Sequence, residues 1–396
     1  MAQTKPTQTT ISETGNSFVA TAYRQVAPEA LFAYPITPQT TIVEEFARYV
    51  ANGKVKTEYV TVESEHSAMS ACIGSSAAGA RTMTATSSQG LALMWEELHI
   101  AAGLRLPIVM ANANRALGAP INIHCDHSDV MGARDTGWVI LFAENAQEAY
   151  DQTIMAIRIA EENDLPVMPV LDGFITTHSI SRGEIMDDAT VTEFVGVREP
   201  AHSMLDTDNP VMVGGFATLG NTYMNIKKAL REAIDASLPS IKKIGDEWAA
   251  LSGRPFDHVE GFGMEDADEA ILVLGSAAGN VRAVTRKLRE QGRKVGMVKL
   301  RTYRPFPAAE IAAALKGCKA VAILDRSDSF GAVAGPLALD TMAALSAQGV
   351  DVAVRPYIFG LGGADVKLDL IEQVYDDLAV LSDGGTNPGL TYLGVE

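Results

Sequence analysis

Short apolar runs alternate with stretches of helical period along most of this chain, and few folds satisfy such an alternation. Strand-like runs at 31–34, 56–62, 81–86, 107–113, 138–143 and 166–171 are interleaved with helix-like stretches at 15–27, 42–50, 63–80, 87–103 and 147–163. A strand that rejoins its own sheet through a helix runs parallel to the strand before it, so the pattern predicts a mostly parallel sheet covered on both faces. Regularity fades between 178 and 260, where D-T-D-N-P and G-R-P-F interrupt the text and a helix over 224–236 is expected to lie across or between domains. Alternation resumes at 270, with strands at 270–276, 294–300, 320–324 and 352–356 and helices at 281–291, 308–315 and 335–348. A chain of 396 residues exceeds one ordinary domain. The predicted division is an α/β domain over 1–260 and a smaller α/β domain over 261–396.

Charge and cysteine content narrow the function classes. With 49 acidic against 32 basic residues the net charge is −17, a field that repels phosphate backbones and anionic membranes. No nucleic acid and no membrane is expected as a partner; small anionic substrates remain open, because local donors decide their binding. Cys72, Cys125 and Cys318 lie far apart and form no C-x-x-C. That usage fits a reducing, cytoplasmic setting, and the thiolates are too few to hold an iron–sulfur cluster within the chain. The N-terminal M-A-Q-T-K-P-T-Q-T-T lacks the apolar core of a signal peptide. No apolar run approaches the roughly 18 residues of a membrane span.

Several stretches bear chemistry. In Y-P-I-T-P, residues 34–38, Thr37 is placed to cap a helix whose first residue is Pro38, leaving a hydroxyl and free N–H groups in a turn after a strand. Such an end attracts carboxylates, although a well-capped structural helix reads the same way. Glu63-Ser64-Glu65-His66 opens another helix at a strand's carboxyl end, where open α/β sheets place ligands. Glu63 simply suits the helix dipole there. Glu65 is followed by small residues that permit a flat partner, or a neighbouring helix, to approach. Ser87-Ser88-Gln89-Gly90 introduces the next helix.

The stretch 114–136 is a long polar loop, and loops of that length inside a compact α/β unit are usually functional. At its start Arg115 can offer a planar fork to a carboxylate or form a surface ion pair. His124-Cys125-Asp126-His127-Ser128-Asp129 carries metal-ligand types, but the spacing is too cramped for a tetrahedral zinc site, so no metal is expected. The glycine patterns at 275–279 and 360–363 read as tight turns, since neither is G-x-G-x-x-G.

Y-P-I-T-P (34–38), E-S-E-H-S-A (63–68), S-S-Q-G-L-A-L-M (87–94), N-R-A-L-G-A-P-I-N-I…D-H-S-D (114–129) and L-R-T-Y-R-P-F-P (300–307) together resemble one family, in order and spacing over about residues 14–376. It is the α subunit of multi-subunit 2-oxoacid:ferredoxin oxidoreductases, most like the pyruvate type. The resemblance implies that 1–260 is a pyrimidine-type thiamine diphosphate-binding domain and 261–396 a transketolase C-terminal-like domain. It implies the reaction too: oxidative decarboxylation of pyruvate with coenzyme A to acetyl-CoA and CO2, or the reverse, with electrons passing to or from ferredoxin. By resemblance Glu65 is catalytic, holding the aminopyrimidine of thiamine diphosphate in the tautomer that deprotonates the thiazolium. Ser88, Gln89 and Gly90 join it at the cofactor. Thr37 and Arg115 are implied to bind the 2-oxoacid, Arg115 through its carboxylate.

Thiamine enzymes hold the diphosphate and Mg²⁺ through a G-D-G…N motif, which is missing; Leu171-Asp172-Gly173 and Gly245-Asp246-Glu247 lack the asparagine. The resemblance therefore implies half an active site. A β subunit is expected to supply the diphosphate and Mg²⁺ site and a [4Fe-4S] cluster, with γ and δ subunits adding further clusters. The short stretch before residue 14 has no room for a fused γ domain, so γ is expected as a separate chain. The 2-oxoglutarate branch lacks the N-R-A-L-x-A-P-I-N string, whereas branched-chain enzymes carry something close to it. His124-Cys125 departs from the residues expected of the pyruvate type. Branched-chain or oxalate oxidoreductase α subunits and a non-catalytic α/β scaffold stay as alternatives, the last disfavoured by Glu65, Thr37 and Arg115 occurring together.

Overall fold

A computed structural model describes residues 6–395 and arranges their strands in three sheets. In chain order the first eight strands are β1 (Gln8–Thr14), β2 (Ala30–Ala33), β3 (Glu58–Thr61), β4 (Thr82–Thr86), β5 (Ile108–Asn114), β6 (Val139–Phe142), β7 (Val167–Asp172) and β8 (Ile180–Met186). β9 (Val259–Phe262), β10 (Glu269–Leu274), β11 (Val295–Leu300), β12 (Thr302–Arg304), β13 (Ala320–Asp325), β14 (Ala353–Ile358) and β15 (Thr391–Tyr392) follow. A seven-stranded sheet runs β12-β6-β7-β5-β4-β2-β3, parallel except where β12 meets β6. A six-stranded sheet runs β15-β14-β13-β10-β11-β9, parallel except between β11 and β9. β1 and β8 form a separate antiparallel ribbon. The mostly parallel α/β sheets expected from the alternation are present. No helix among the described residues is long and apolar enough to cross a membrane.

β4, β5, β6 and β7 are buried along their whole length. Thr82, Thr84, Thr86, Asn112 and Asn114 therefore sit in the interior, where each polar group needs a partner inside the protein.

Helix boundaries depart from the expectation where local bonds compete. The helix expected to start at Thr37-Pro38 starts at Thr40. The amides of Gln39 and Thr40 both donate to the Ile36 carbonyl, so residues 36–39 close a turn of their own and the Thr37 hydroxyl is not a cap. The helix expected over 87–103 is two, Ser88–Leu93 and Trp95–Gly103, meeting at Met94. A short helix, Ser128–Ala133, interrupts the long loop. The irregular stretch holds β8, a helix Asp188–Val195 and a 31-residue helix Thr222–Ser252 with Pro239 inside it. An internal proline costs a helix about 3 kcal/mol. Burial of Leu230, Ile234, Ile241, Ile244 and Trp248 along the same helix, at about 1.5–3 kcal/mol each, outweighs it.

A half-buried ion cluster joins the two large sheets. Lys299 of β11 donates to Glu144 (2.6 Å) and Glu148 (2.8 Å), at the start of the helix Ala146–Asn163, and lies 3.0 Å from Glu260 of β9. Arg301 pairs with Glu148 and Glu260, and Arg282 with Glu144 and Glu260. Burial alone would raise the Glu148 carboxyl, but Arg301 and Lys299 bring it down to about 2 from an ordinary 4.5. A depressed carboxyl stabilises the fold fully above its unfolded value and loses that contribution as pH falls through the folded one. Acid titration followed by circular dichroism is expected to show a loss of about 3 kcal/mol between pH 4.5 and 2. Glu148→Gln should flatten that limb, and an unchanged limb would show that Glu148 is not its source.

Candidate active site

Parallel strands deliver their carboxyl ends to one edge, and β7, β5, β4 and β2 are neighbours in the seven-stranded sheet. The segments leaving them are Gly173-Phe174, the loop that starts at Arg115, the turn 87–90 and the turn 34–39. The helix Glu65–Ala77 begins beside them, after β3.

Ser64 caps that helix by accepting the Ser67 amide at 3.1 Å. Glu65 is left in the first turn, where a carboxylate suits the N–H dipoles. Its side chain turns inward and the residue is only 6% exposed, without a hydrogen bond or ion pair to any other described residue. His66 turns outward instead, to Glu96 at 3.0 Å and Glu97 at 3.2 Å. Gly90 makes room for Glu65: a Cβ there would stand 2.7 Å from Glu65 Oε1 and 2.5 Å from Thr86 Oγ1. Around the same edge Thr86 Oγ1, Ser87 Oγ, Gln39 Oε1, Asn16 Oδ1, Asn112 Oδ1 and Asn114 Oδ1 are buried without a partner among the described residues.

Arg115 is 5% exposed and makes no surface ion pair among the described residues. Its Nη1 donates to the Thr37 carbonyl at 2.9 Å and its Nε to the Asn122 carbonyl at 3.3 Å. The structure thus brings Thr37 and Arg115 together, through the Thr37 backbone, with residue 37 itself exposed. Nη2 has no partner among the described residues. Burial lowers the pKa of the guanidinium, partly offset by the Asp129 charge, yet arginine stays protonated.

Sequence reasoning did not single out Asp129, which organises this edge. Its Oδ2 accepts the amides of Ser88 (2.9 Å) and Arg115 (3.2 Å) and the Asn112 side chain (3.1 Å). Its Oδ1 accepts Asn114 Nδ2 and the Val130 amide, each at 2.7 Å. Burial raises the Asp129 carboxyl, and those bonds restrain the rise. The signal available in the sequence is Asn112-x-Asn114: two amides on one face of a buried strand require an acceptor. Ser88 takes φ +49°, and its hydroxyl lies 2.7 Å from the Ala116 carbonyl and 2.6 Å from Gln89 Oε1. Of the three residues expected at the cofactor, Gly90 lies against Glu65 while Ser88 and Gln89 bond to each other.

The loop 124–129 resolves into a hydrogen-bonded hub. Cys125, His127 and Asp172 do gather metal-type donor atoms, but the Asp172 carboxylate is already engaged. It bonds to His127 Nε2 (2.9 Å), to the Ser276 amide (3.0 Å) and hydroxyl (2.5 Å), and to Arg326 Nη1 (3.2 Å). A guanidinium on the same carboxylate disfavours a second cation there. Burial would raise the Asp172 carboxyl, yet His127 and Arg326 hold it well below the usual carboxylate range. Burial pushes the Cys125 thiol well up, away from the thiolate that a metal binds.

A family profile described as "Pyruvate flavodoxin/ferredoxin oxidoreductase, thiamine diP-bdg" matches residues 21–245, and one described as "Pyruvate:ferredoxin oxidoreductase core domain II" matches 267–371. Pyruvate synthase subunit PorA of Thermotoga maritima is 49% identical over 373 residues, which cover 93% of this chain and 94% of that one. Ketoisovalerate oxidoreductase subunit VorA of Pyrococcus abyssi is 40% identical over 386 residues, 97% of each chain. Among solved structures, a 2-oxoglutarate:ferredoxin oxidoreductase from Magnetococcus marinus aligns with 93% of this chain at a TM-score of 0.74 and 21% identity. This chain spans 65% of that one, and the likeness speaks to the fold alone. With a family profile over more than half its length and relatives this similar over nearly all of it, the chain belongs to the pyruvate flavodoxin/ferredoxin oxidoreductase family.

Proposed function

We propose that this chain is the α subunit of a thiamine diphosphate-dependent pyruvate:ferredoxin oxidoreductase and supplies the pyrimidine half of an active site that a β subunit completes. The reaction is oxidative decarboxylation of pyruvate with coenzyme A to acetyl-CoA and CO2, or its reverse, with ferredoxin as electron partner. The observation that carries this is Glu65, a buried carboxylate with no partner among the described residues, lying over Gly90 with the Thr86 hydroxyl beside it. These residues fit an aminopyrimidine: a carboxylate acceptor for a ring N–H, with an unpartnered hydroxyl beside it.

When bound, thiamine diphosphate supplies the nucleophilic carbon and the electron sink that a 2-oxoacid needs in order to lose CO2. Glu65 would hold the aminopyrimidine and keep a proton on its ring nitrogen through a charge-assisted bond of about 1.5–3 kcal/mol. Arg115 keeps its guanidinium fixed against the Thr37 and Asn122 carbonyls and offers Nη2 to the substrate carboxylate. The Thr37 hydroxyl, at the same turn, is the second substrate donor. We assign 1–260 to the pyrimidine-type domain and 261–396 to the transketolase C-terminal-like domain, β12 being the segment of the latter that joins the former's sheet. The β subunit brings the diphosphate and Mg²⁺ site and a [4Fe-4S] cluster, γ and δ bring further clusters, and the assembly is cytoplasmic.

Similarity to a ketoisovalerate oxidoreductase subunit over 97% of the chain favours a second substrate, a branched-chain 2-oxoacid, handled by the same residues. Comparing kcat/KM for pyruvate and for 3-methyl-2-oxobutanoate in the assembled enzyme decides between them. Calorimetry is expected to find no tight thiamine diphosphate binding to the isolated chain, and tight binding once β is present. Tight binding by the lone chain would overturn the half-site assignment.

A further inference from the structure

Gly360-Leu361-Gly362-Gly363, just beyond β14, has no part in the function proposed above, yet it lies against the loop that carries Arg115. Gly360, Gly362 and Gly363 have φ of 61°, 59° and 81°, a backbone region that glycine enters freely and other residues rarely. The turn touches the loop through its main chain. The Gly362 amide donates to Asp126 Oδ2 (3.2 Å), the Gly363 amide to the Cys125 carbonyl (2.7 Å), and the Gly362 carbonyl accepts Asn122 Nδ2 (3.0 Å). Arg326 Nε in turn donates to the Gly360 carbonyl at 3.1 Å. A Cβ on Gly362 would collide with Asn122 Nδ2, and one on Gly363 with the Cβ of His124.

Asn122 is the link to the site. Its backbone carbonyl accepts Arg115 Nε, and its Oδ1 accepts the His124 amide at 2.8 Å. The loop between them is otherwise held by the Ala116 amide on the His124 carbonyl (3.0 Å), the Ser88 hydroxyl on the Ala116 carbonyl (2.7 Å) and the Leu117 amide on Ser128 Oγ (2.9 Å), and its tip at Ile121 is exposed. A fork that must meet a planar carboxylate tolerates only about 10–20° of error. A loop with an exposed tip does not hold a carbonyl to that tolerance unaided.

We infer that the Gly360–Gly363 turn is a positioning element for Arg115, acting through Asn122, and that the C-terminal unit thereby takes part in recognising the 2-oxoacid carboxylate. The inference rests on Arg115 being the carboxylate partner. The turn holds the Asn122 carbonyl, the carbonyl orients Nε, and Nη2 is left aimed at the substrate.

The test is made in the assembled enzyme with Gly363→Ala and Asn122→Ala. Each is expected to raise KM for the 2-oxoacid about 10- to 100-fold, with KM for coenzyme A and the rate of thiamine C2 proton exchange within about twofold of the parent. Gly349→Ala is the control: its φ is +66° in the same unit, with nothing within 4 Å of the added methyl, so it should leave KM alone. Asn122 is part-exposed, so its variant serves if Gly363→Ala does not assemble. An unchanged 2-oxoacid KM in both variants, with Arg115→Lys crippled, would overturn the positioning role and spare the assignment of Arg115. An unchanged KM in Arg115→Lys itself would remove that assignment and this inference with it. A joint rise in KM for 2-oxoacid and coenzyme A, with slowed C2 exchange, would mean general damage to the site and would also overturn the proposal.

Discussion

Glu65→Gln lowers kcat of the assembled enzyme by at least about 10²- to 10³-fold while the unfolding temperature of the isolated chain stays level. The amide keeps the shape of the side chain but carries no charge with which to hold the proton on the pyrimidine. The stability half of this expectation comes from the geometry. Glu65 bonds to no other described residue, so the substitution breaks no contact within the fold of this chain. Thiamine C2 proton exchange by NMR, run beside thermal unfolding, reads both halves. Near-normal exchange in the variant would take Glu65 out of the mechanism.

Arg115→Lys lowers kcat/KM for the 2-oxoacid by about 30- to 4,000-fold, the equivalent of about 2–5 kcal/mol. An ammonium keeps the charge but cannot bond two backbone carbonyls in a plane and still present a further N–H pair to a carboxylate. Since Nη1 and Nε are committed to Thr37 and Asn122, a lysine serving both anchors would keep a single N–H for the substrate and no planar fork. Thr37→Ala is milder, about 1–3 kcal/mol, because the carbonyl that anchors Arg115 belongs to the backbone and survives the change. In both variants affinity for thiamine diphosphate should be nearly intact. Full activity in Arg115→Lys with loosened subunit assembly would make Arg115 an interface residue instead.

The sheets were legible because a strand buried on both faces and a helix buried on one leave different periods in the sequence. What escaped were elements that depend on partners far along the chain. β1 gains its order from β8, and Gln8 pairs with Met186. β12 is three residues long and is a strand only because β6 offers it an edge. The helix Thr222–Ser252 runs through Pro239, and no local rule anticipates that tertiary burial will override the proline. At the candidate site, Thr37 and Arg115 could each be marked by their place after a strand. Their contact could not, since it passes through a main-chain carbonyl that carries no residue-specific signal. Asp129 was hidden among other polar residues of its loop, and its five bonds become visible only once β5 and the turn 87–90 are side by side.

The return of β12 to the first sheet has a consequence for synthesis. Val139–Phe142 is buried throughout, and it is an edge strand until Thr302–Arg304 arrive. At about 5–20 residues per second, a ribosome takes roughly 10–30 s to make the intervening chain. During that interval the nascent protein displays an apolar, unpaired strand edge, the kind of surface on which chains aggregate. The same edge would be bared for good if translation stopped before residue 302. Truncated products that contain all of 1–260 should therefore be sticky rather than merely inactive, and nascent chains of that length are natural clients for a chaperone that shields strand edges.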